Sequence, residues 1–178
     1  MGSDDGELSE KPEHLVVFGS FDLDVKEVTV ANYRVCVDAE KCSLPESTTT
    51  CNWGTSGRWD HPLNCVTRDQ ASEYCAFVGK RLPTESEWEY AARGAFRRKY
   101  PWGPDAPKNQ PCWSGGDYRT TSTCEVGSHS DDKTPDGVLD LAGNVSEWTG
   151  QYCDYLKASC GNVRWVSRGG SYGHNNDK

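Results

Sequence analysis

No apolar run in this chain approaches the length of a membrane span, and no basic stripe is present to neutralise phosphates. Lys and Arg number 19 against 27 Asp and Glu, a formal net charge of −8, which argues against nucleic acid as a partner. No Cys-x-x-Cys pair occurs among the nine cysteines, and their spacings fit neither a zinc ribbon nor a zinc finger. No internal repeat is visible. Apolar residues make up only 35% of the chain and the mean hydropathy is −0.78, so a core of aliphatic side chains alone would be thin. Signal-peptide features are also missing, because Met1 leads directly into acidic residues; a trimmed leader or a missing upstream region is the expectation.

What is present is aromatic, glycine-rich and cysteine-rich. A length of 178 residues suits one domain, residues 1–178, with an acidic, mobile start over 1–13. Seven Trp, eight Tyr and 18 Gly indicate an aromatic-centred core threaded by long irregular loops, since large rings bury much area per residue. Disulfides are the better reading of the cysteines, and they place the protein in an oxidising, extracytoplasmic setting, periplasmic or secreted. Spacing does not fix connectivity. Local pairing would join Cys36 to Cys42, Cys51 to Cys65, Cys112 to Cys124 and Cys153 to Cys160, leaving Cys75 on the inner face of a helix. Each such bridge contributes about 2–4 kcal/mol when unstrained. Reduced, buried cysteines are the alternative.

Along the chain, Leu15 to Asp24 reads as extended, with Phe21 and Leu23 alternating with Asp22 and Asp24. Thr29 is placed to cap a helix whose inner face carries Tyr33, Cys36 and Val37. A long loop follows, roughly Lys41 to Leu63. Thr67 and Gln70 form a capping box for a helix over 67–78, with Ala71, Tyr74, Cys75 and Val78 on its apolar face. The second such box, Thr84 and Glu87, starts a helix over 84–93 with Trp88, Ala91 and Ala92 on one side and Gly94 as its left-handed stop. Beyond it regular structure thins, with short strands expected at Glu147–Gly150 and Val163–Arg168. The fold class is α+β, loop-rich and low in regular secondary structure.

Four ordered motifs stand out: Gly79-Lys80-Arg81-Leu82-Pro83-Thr84-Glu85-Ser86-Glu87-Trp88-Glu89-Tyr90-Ala91-Ala92-Arg93-Gly94, then Tyr100-Pro101-Trp102-Gly103, Gly143-Asn144-Val145-Ser146-Glu147-Trp148, and Arg168-Gly169-Gly170-Ser171-Tyr172. In that order they resemble the formylglycine-generating enzyme family, the sulfatase-modifying factors, from about Met1 to Tyr172. The resemblance implies a compact, loop-rich fold related to C-type lectin domains. It also implies a structural calcium at Asp140-Leu141-Ala142-Gly143-Asn144-Val145-Ser146-Glu147, through the side chains of Asp140 and Glu147 and the carbonyls of Gly143 and Val145. Calcium takes six to eight oxygens, mixing carboxylates with carbonyls on a chain that can curl. A turn with solvated carboxylates is the bland alternative. Ser146 stands where the family usually has Trp and creates a glycosylation sequon at Asn144, which a tight metal loop would leave unused. A weaker second calcium site would draw on Asn109 and Gln110.

Catalysis in that family oxidises a sulfatase cysteine with molecular oxygen, on copper(I) held by two thiolates shortly after Arg-Gly-Gly-Ser; soft thiolates suit that ion. Here His174 takes the first thiolate position, close to Ser171, and no second cysteine follows. The expectation is therefore a domain without formylglycine-generating activity, a calcium-stabilised module for a peptide or glycan. A fragment of an active, copper-dependent oxidase is the alternative. The aromatic loops carrying Trp53, Trp59, Trp113 and Tyr118 are the candidate binding surface, against the alternative that these rings are core. Gly169 to Gly173 fits a nucleophile-elbow pattern but lacks the helix and partners that it needs. The four histidines, His14, His61, His129 and His174, show no iron-binding spacing and read as surface or loop residues. The family's usual closing strand after Arg-Gly-Gly-Ser is missing, which would leave an uncovered edge; oligomerisation is one way to cover it.

Overall fold

A computed structural model describes residues 1–2, 4, 11–117, 120–152 and 165–173. Three helices precede a short antiparallel ribbon: α1 (Val30–Asp38), α2 (Arg68–Phe77), α3 (Glu85–Arg93), β1 (Glu147–Tyr152) and β2 (Trp165–Arg168). Each helix starts where its side chains can satisfy the orphan backbone donors of the first turn. Thr29 accepts from the amide of Asn32. Both capping boxes are closed, Thr67 with Gln70 and Thr84 with Glu87. Two more donors at the start of α1 are met by the loop that follows the helix: Val30 N–H reaches the His61 carbonyl and Ala31 N–H that of Trp59, each at 3.0 Å. Helix α3 ends at Gly94, whose φ of 63° and ψ of −176° fall outside the left-handed helical well and in a region open essentially to glycine alone.

The core is split in two. Around α1, Val30, Tyr33, Cys36, Cys42 and Leu63 are buried, with Trp53, Val66 and Tyr74 packed against them. Tyr33 stacks on Tyr74 at 5.7 Å and meets Trp53 edge-on at 6.1 Å, so aromatic rings fill the volume that few aliphatics could fill. The second cluster joins Trp88 and Ala92 of α3 to Val138 and Leu141. Helices α2 and α3 pack on β1, and α3 also on β2. The ribbon pairs Glu147 with Arg168 and Trp148 with Ser167, then slips before Tyr152 meets Trp165.

Disulfides join Cys36 to Cys42, Cys51 to Cys65 and Cys112 to Cys124. Cys75 is a free thiol; Cys153 and Cys160 lie outside the described residues. Two expectations are corrected. Residues 15–24 form no ladder among the described residues, and Leu15 and Val17 are 90% and 87% exposed; Phe18 and Phe21 dock edge-on to Tyr90 of α3, and Leu23 packs on the Trp88–Leu141 cluster. The apolar face of α2 is only partly covered: Tyr74 packs on the α1 core, but none of the helix's residues is fully buried, because Ala71, Tyr74 and Cys75, with Val78 after it, line a cleft of about 790 Å³.

Glu87 locks α3 to the chain before it. Both its oxygens accept from Arg81, at 2.7 Å each, and one also accepts from the Thr84 amide at 2.7 Å. Arg81 foremost, with the Thr84 donors helping against the cost of burial, holds this carboxyl well below its usual range, at about 2. A depressed acid contributes stability above its unfolded value near 4.5, and that contribution is lost as pH falls toward about 2. Glu87→Gln is therefore expected to lower unfolding free energy at neutral pH by about 2 kcal/mol and to flatten the acid limb of the stability curve, measured by urea unfolding across pH. An acid limb as steep as the parent's would contradict this role.

Candidate functional site

The segment from Gly127 to Glu147 folds into a turn that buries carboxyl groups. Asp140 and Asn144 sit on it at φ of 63° and 61°, conformations that Asp and Asn tolerate better than most residues. Gly143 is needed where it is: a Cβ there would stand 2.7 Å from the Cys112 carbonyl and 2.8 Å from Pro111. Asn144 is the pivot. Its amide N–H reaches the Cys112 carbonyl at 2.9 Å, its Oδ1 accepts from Cys124 N–H at 3.0 Å, and its Nδ2 donates to Glu27 at 2.7 Å and to the Cys124 carbonyl at 3.3 Å. Fully buried, this side chain offers nothing to a glycosylating enzyme in the folded state.

Glu27 arrives from the strand-like stretch before α1 and accepts at both oxygens, from Asn144 Nδ2 and, at 3.1 Å, from Val145 N–H. Burial first, then the charges of Glu147 and Asp140, push its carboxyl up to about 10. Asp132 is completely buried. One of its oxygens accepts from Ala142 N–H at 3.2 Å, and the other has no partner. Its burial, with Asp140 nearby, raises it to about 7. The carboxyl of Glu147 accepts from the Trp88 indole at 2.5 Å; its enclosure, reinforced by Asp140 and Asp132, raises it to about 7. Asp140 accepts from Gly127 N–H at 2.5 Å and is raised by burial, against which His129 and Lys26 act weakly.

These four groups make conflicting demands. Burial and mutual repulsion favour protons, yet both Glu27 oxygens already face N–H donors, and those favour the ionised form. A divalent cation beside the turn would offset part of that burial cost, and oxygen donors of this kind suit a hard cation. Among the described residues no donor reaches the carbonyl oxygens of Gly143 or Val145. The Asp140 and Glu147 carboxyls and the Gly143 and Val145 carbonyls are oxygen donors of the type that the family resemblance implies for a calcium ion. Glu27 and Asp132 were missed, and no local signal could have shown them: Glu27 meets Val145 across 118 positions. The second candidate site fits poorly, because Asn109 exchanges two bonds with Asp117 and Gln110 accepts from Lys108 N–H.

The Arg168–Tyr172 turn lies against the same loop. Arg168 pairs with Glu85 and, at 3.7 Å, with Glu89 of α3. Tyr172 N–H donates to the Asn144 carbonyl at 3.0 Å, and Ser146, where the family has Trp, turns its hydroxyl to the carbonyls of Gly169 and Gly170. Ser171 and Tyr172 line the cleft with Tyr33, Tyr74 and Trp148; His174 lies outside the described residues, as does Tyr118. The candidate aromatic rings differ in exposure, although Arg34 lies over both Trp53, at 6.0 Å, and Trp59. Trp53 packs on the α1 core, Trp113 closes its own loop through the Lys108 carbonyl at 2.6 Å, and only Trp59 is largely open, at 45%, with Arg34 over its ring at 5.1 Å. His61, expected on a loop surface, is buried and held by Thr123 and Arg58; burial, then Arg58, lowers its pKa.

A family profile described as "Sulfatase-modifying factor enzyme 1-like domain" matches residues 1–178. The chain belongs to this family. Relatives include the serine/threonine-protein kinase pkn1 of Chlamydia pneumoniae, 35% identical over 169 residues, which cover 86% of this chain and 26% of that one. The formylglycine-generating enzyme of Bos taurus is 40% identical over 106 residues, 53% of this chain and 28% of the relative. The inactive C-alpha-formylglycine-generating enzyme 2 of Bos taurus is 38% identical over 104 residues, 54% and 35%. The chain therefore spans about a quarter to a third of the length of these relatives. PvdO from Pseudomonas aeruginosa shares the fold, with a TM-score of 0.75 at 24% identity over 98% of this chain and 79% of that one. No helix among the described residues is long and apolar enough to cross a membrane.

Acids whose folded pKa is raised contribute stability that is full below their unfolded values and is lost as pH rises through the folded ones. For Asp132 and Glu147 that loss accumulates from their ordinary values, 3.8 and 4.5, and is complete at about 7. In chelator, the melting temperature is expected to fall between about pH 4 and about pH 7 and then level off, by a scanning calorimetry series. A flat profile would show that the four carboxyls do not share one buried space.

Proposed function

We propose that this chain is a calcium-braced, non-oxidising member of its family that holds a peptide or glycan in the cleft between α2 and the Arg168–Tyr172 turn. The observation that carries the reading is chemical: an imidazole, His174, stands where the family's first copper thiolate belongs, and imidazole alone is not the soft thiolate pair that copper(I) requires. Overall similarity does not decide the matter, since the active and inactive Bos taurus relatives match almost equally well. Calcium, on this reading, would be held by Asp140 and Glu147 side chains and the carbonyls of Gly143 and Val145, with Glu27 orienting the turn from below; bound, it supplies charge neutralisation and rigidity. Kinship with C-type lectin domains and an extracytoplasmic setting belong to the same proposal, the latter supported by the three disulfides.

The cleft has the size of a ligand site. Tyr74, Trp148 and Tyr172 supply flat apolar edges, with the buried Tyr33 behind Tyr74, and Asp24, Lys80 and Arg81 stand among the other lining residues. Cys75 is also there, but burial, then Asp24, pushes its thiol up, which makes it a poor nucleophile.

Two measurements test the proposal. Calcium at a hundredfold excess over its dissociation constant is expected to add about 2.7 kcal/mol of stability, lost in Glu147→Gln; no calcium-dependent shift would remove the brace. Incubation with copper(I), oxygen and a cysteine-containing sulfatase peptide is expected to yield no aldehyde, while calorimetry detects binding of that peptide, or of an oligosaccharide, weakened at least about tenfold by Val78→Glu on the exposed cleft wall. Aldehyde in the product would establish the oxidase instead.

A further inference from the structure

Behind the acidic turn, two sulfurs and an imidazole converge: ligand atoms of Cys112, Cys124 and His129 all lie within 4.8 Å of one another. The cysteines are joined as a disulfide. His129 Nε2 stands 3.4 Å from Cys124 Sγ, and its Nδ1 faces the Asn109 carbonyl at 3.3 Å. A carbonyl can only accept, so Nδ1 carries the proton and the Nε2 lone pair points at sulfur. On the other side Cys112 Sγ lies 3.9 Å from the Ser122 carbonyl. Both polar neighbours are acceptors: they suit thiols, whose S–H groups can donate, better than a disulfide, whose sulfurs have no hydrogen, and the Nε2 lone pair is equally suited to a cation.

We propose that Cys112, Cys124 and His129 form, when their disulfide is reduced, a three-ligand site for a zinc-class cation. With Zn–S near 2.3 Å and Zn–N near 2.0–2.1 Å, a tetrahedral site has an S···N edge of about 3.6 Å and an S···S edge of about 3.8 Å. The S···N edge is already present at 3.4 Å; only the sulfurs must part, from about 2.0 Å, and side-chain rotation on α-carbons 6.1 Å apart allows it. The Asn109 carbonyl on Nδ1 is the outer contact that metal-bound imidazoles ordinarily have. Cys112 is 1% exposed, whereas Cys124 and His129 are half-exposed, which gives a reductant access and leaves a fourth position for water.

The redox step balances with a dithiol as reductant. One thiolate of the dithiol attacks Cys124 Sγ, Cys112 leaves and takes a proton, and the second thiol then displaces Cys124, closing the reductant's own disulfide. Zinc binding releases the two thiol protons without further electron transfer. Either bridge, S–S or S–Zn–S, keeps the backbone of Cys112 and Cys124 on Asn144, so the turn survives the exchange.

The full chain, carrying Cys75→Ser, is reduced anaerobically with a dithiol, desalted and titrated with Zn²⁺ alone. We expect one equivalent bound, with two sulfurs and at least one nitrogen in the X-ray absorption spectrum. His129→Ala is expected to weaken binding at least about tenfold, and His129→Cys to restore it. Undiminished zinc binding by His129→Ala overturns the proposal. So does a reduced chain that takes up none, or a Cys112–Cys124 bond that survives the dithiol while circular dichroism shows the chain folded.

Discussion

Repulsion among Glu27, Asp132, Asp140 and Glu147 is the constraint around which the rest is arranged. Their carboxyls are enclosed, and an uncompensated buried charge is among the costliest features a small domain can carry. Each has been given part of a solution: an indole for Glu147, backbone amides for Asp132 and Asp140, and an amide with the Asn144 side chain for Glu27. Those donors fix where every neighbouring element sits. Trp88 brings α3 to the turn, Asn144 brings the Cys112–Cys124 loop, and Tyr172 brings the end of the ribbon.

With so little regular structure, side-chain chemistry replaces the repetitive backbone ladder as the source of specificity. The ribbon has two strands, too few to be stable alone, and it is held because Arg168 reaches the carboxylates of α3 while Trp148 donates to the Val66 carbonyl. The cleft follows from the same economy: α2 is covered on the side of α1, and its other apolar residues are left facing open space.

The helices were legible because their signals are local. Thr29, Thr67 and Thr84 cap as their spacing predicts, and the three disulfides within the described residues follow the short-loop pairing. Trp88, Ala91 and Ala92 are buried as the helical period requires. The extended stretch over 15–24 misled, because alternation reports a face suited to burial without reporting whether a partner strand exists. The aromatic rings could not be sorted in advance, because composition cannot separate Trp53, which packs on a core, from Trp59, which is 45% exposed. At the acidic turn, the burial of Asp140 beside Glu147 falls within one short motif that the family resemblance singles out, but Glu27, Asp132 and the meeting of His129 with Cys124 depend on loop paths that no periodicity encodes.

The ties that define the site also set an order of events. Glu27 waits for Val145, Trp88 for Glu147, and Glu85 for Arg168, across 118, 59 and 83 positions. Long closures of this kind slow folding, whereas α1 and its Cys36–Cys42 bridge need only nearby chain. During synthesis the first half of the polypeptide can therefore form helix early, while Glu27 stays in water until the Asn144–Val145 segment emerges. The costly desolvation is thus kept for the moment when the donors that answer it are at hand.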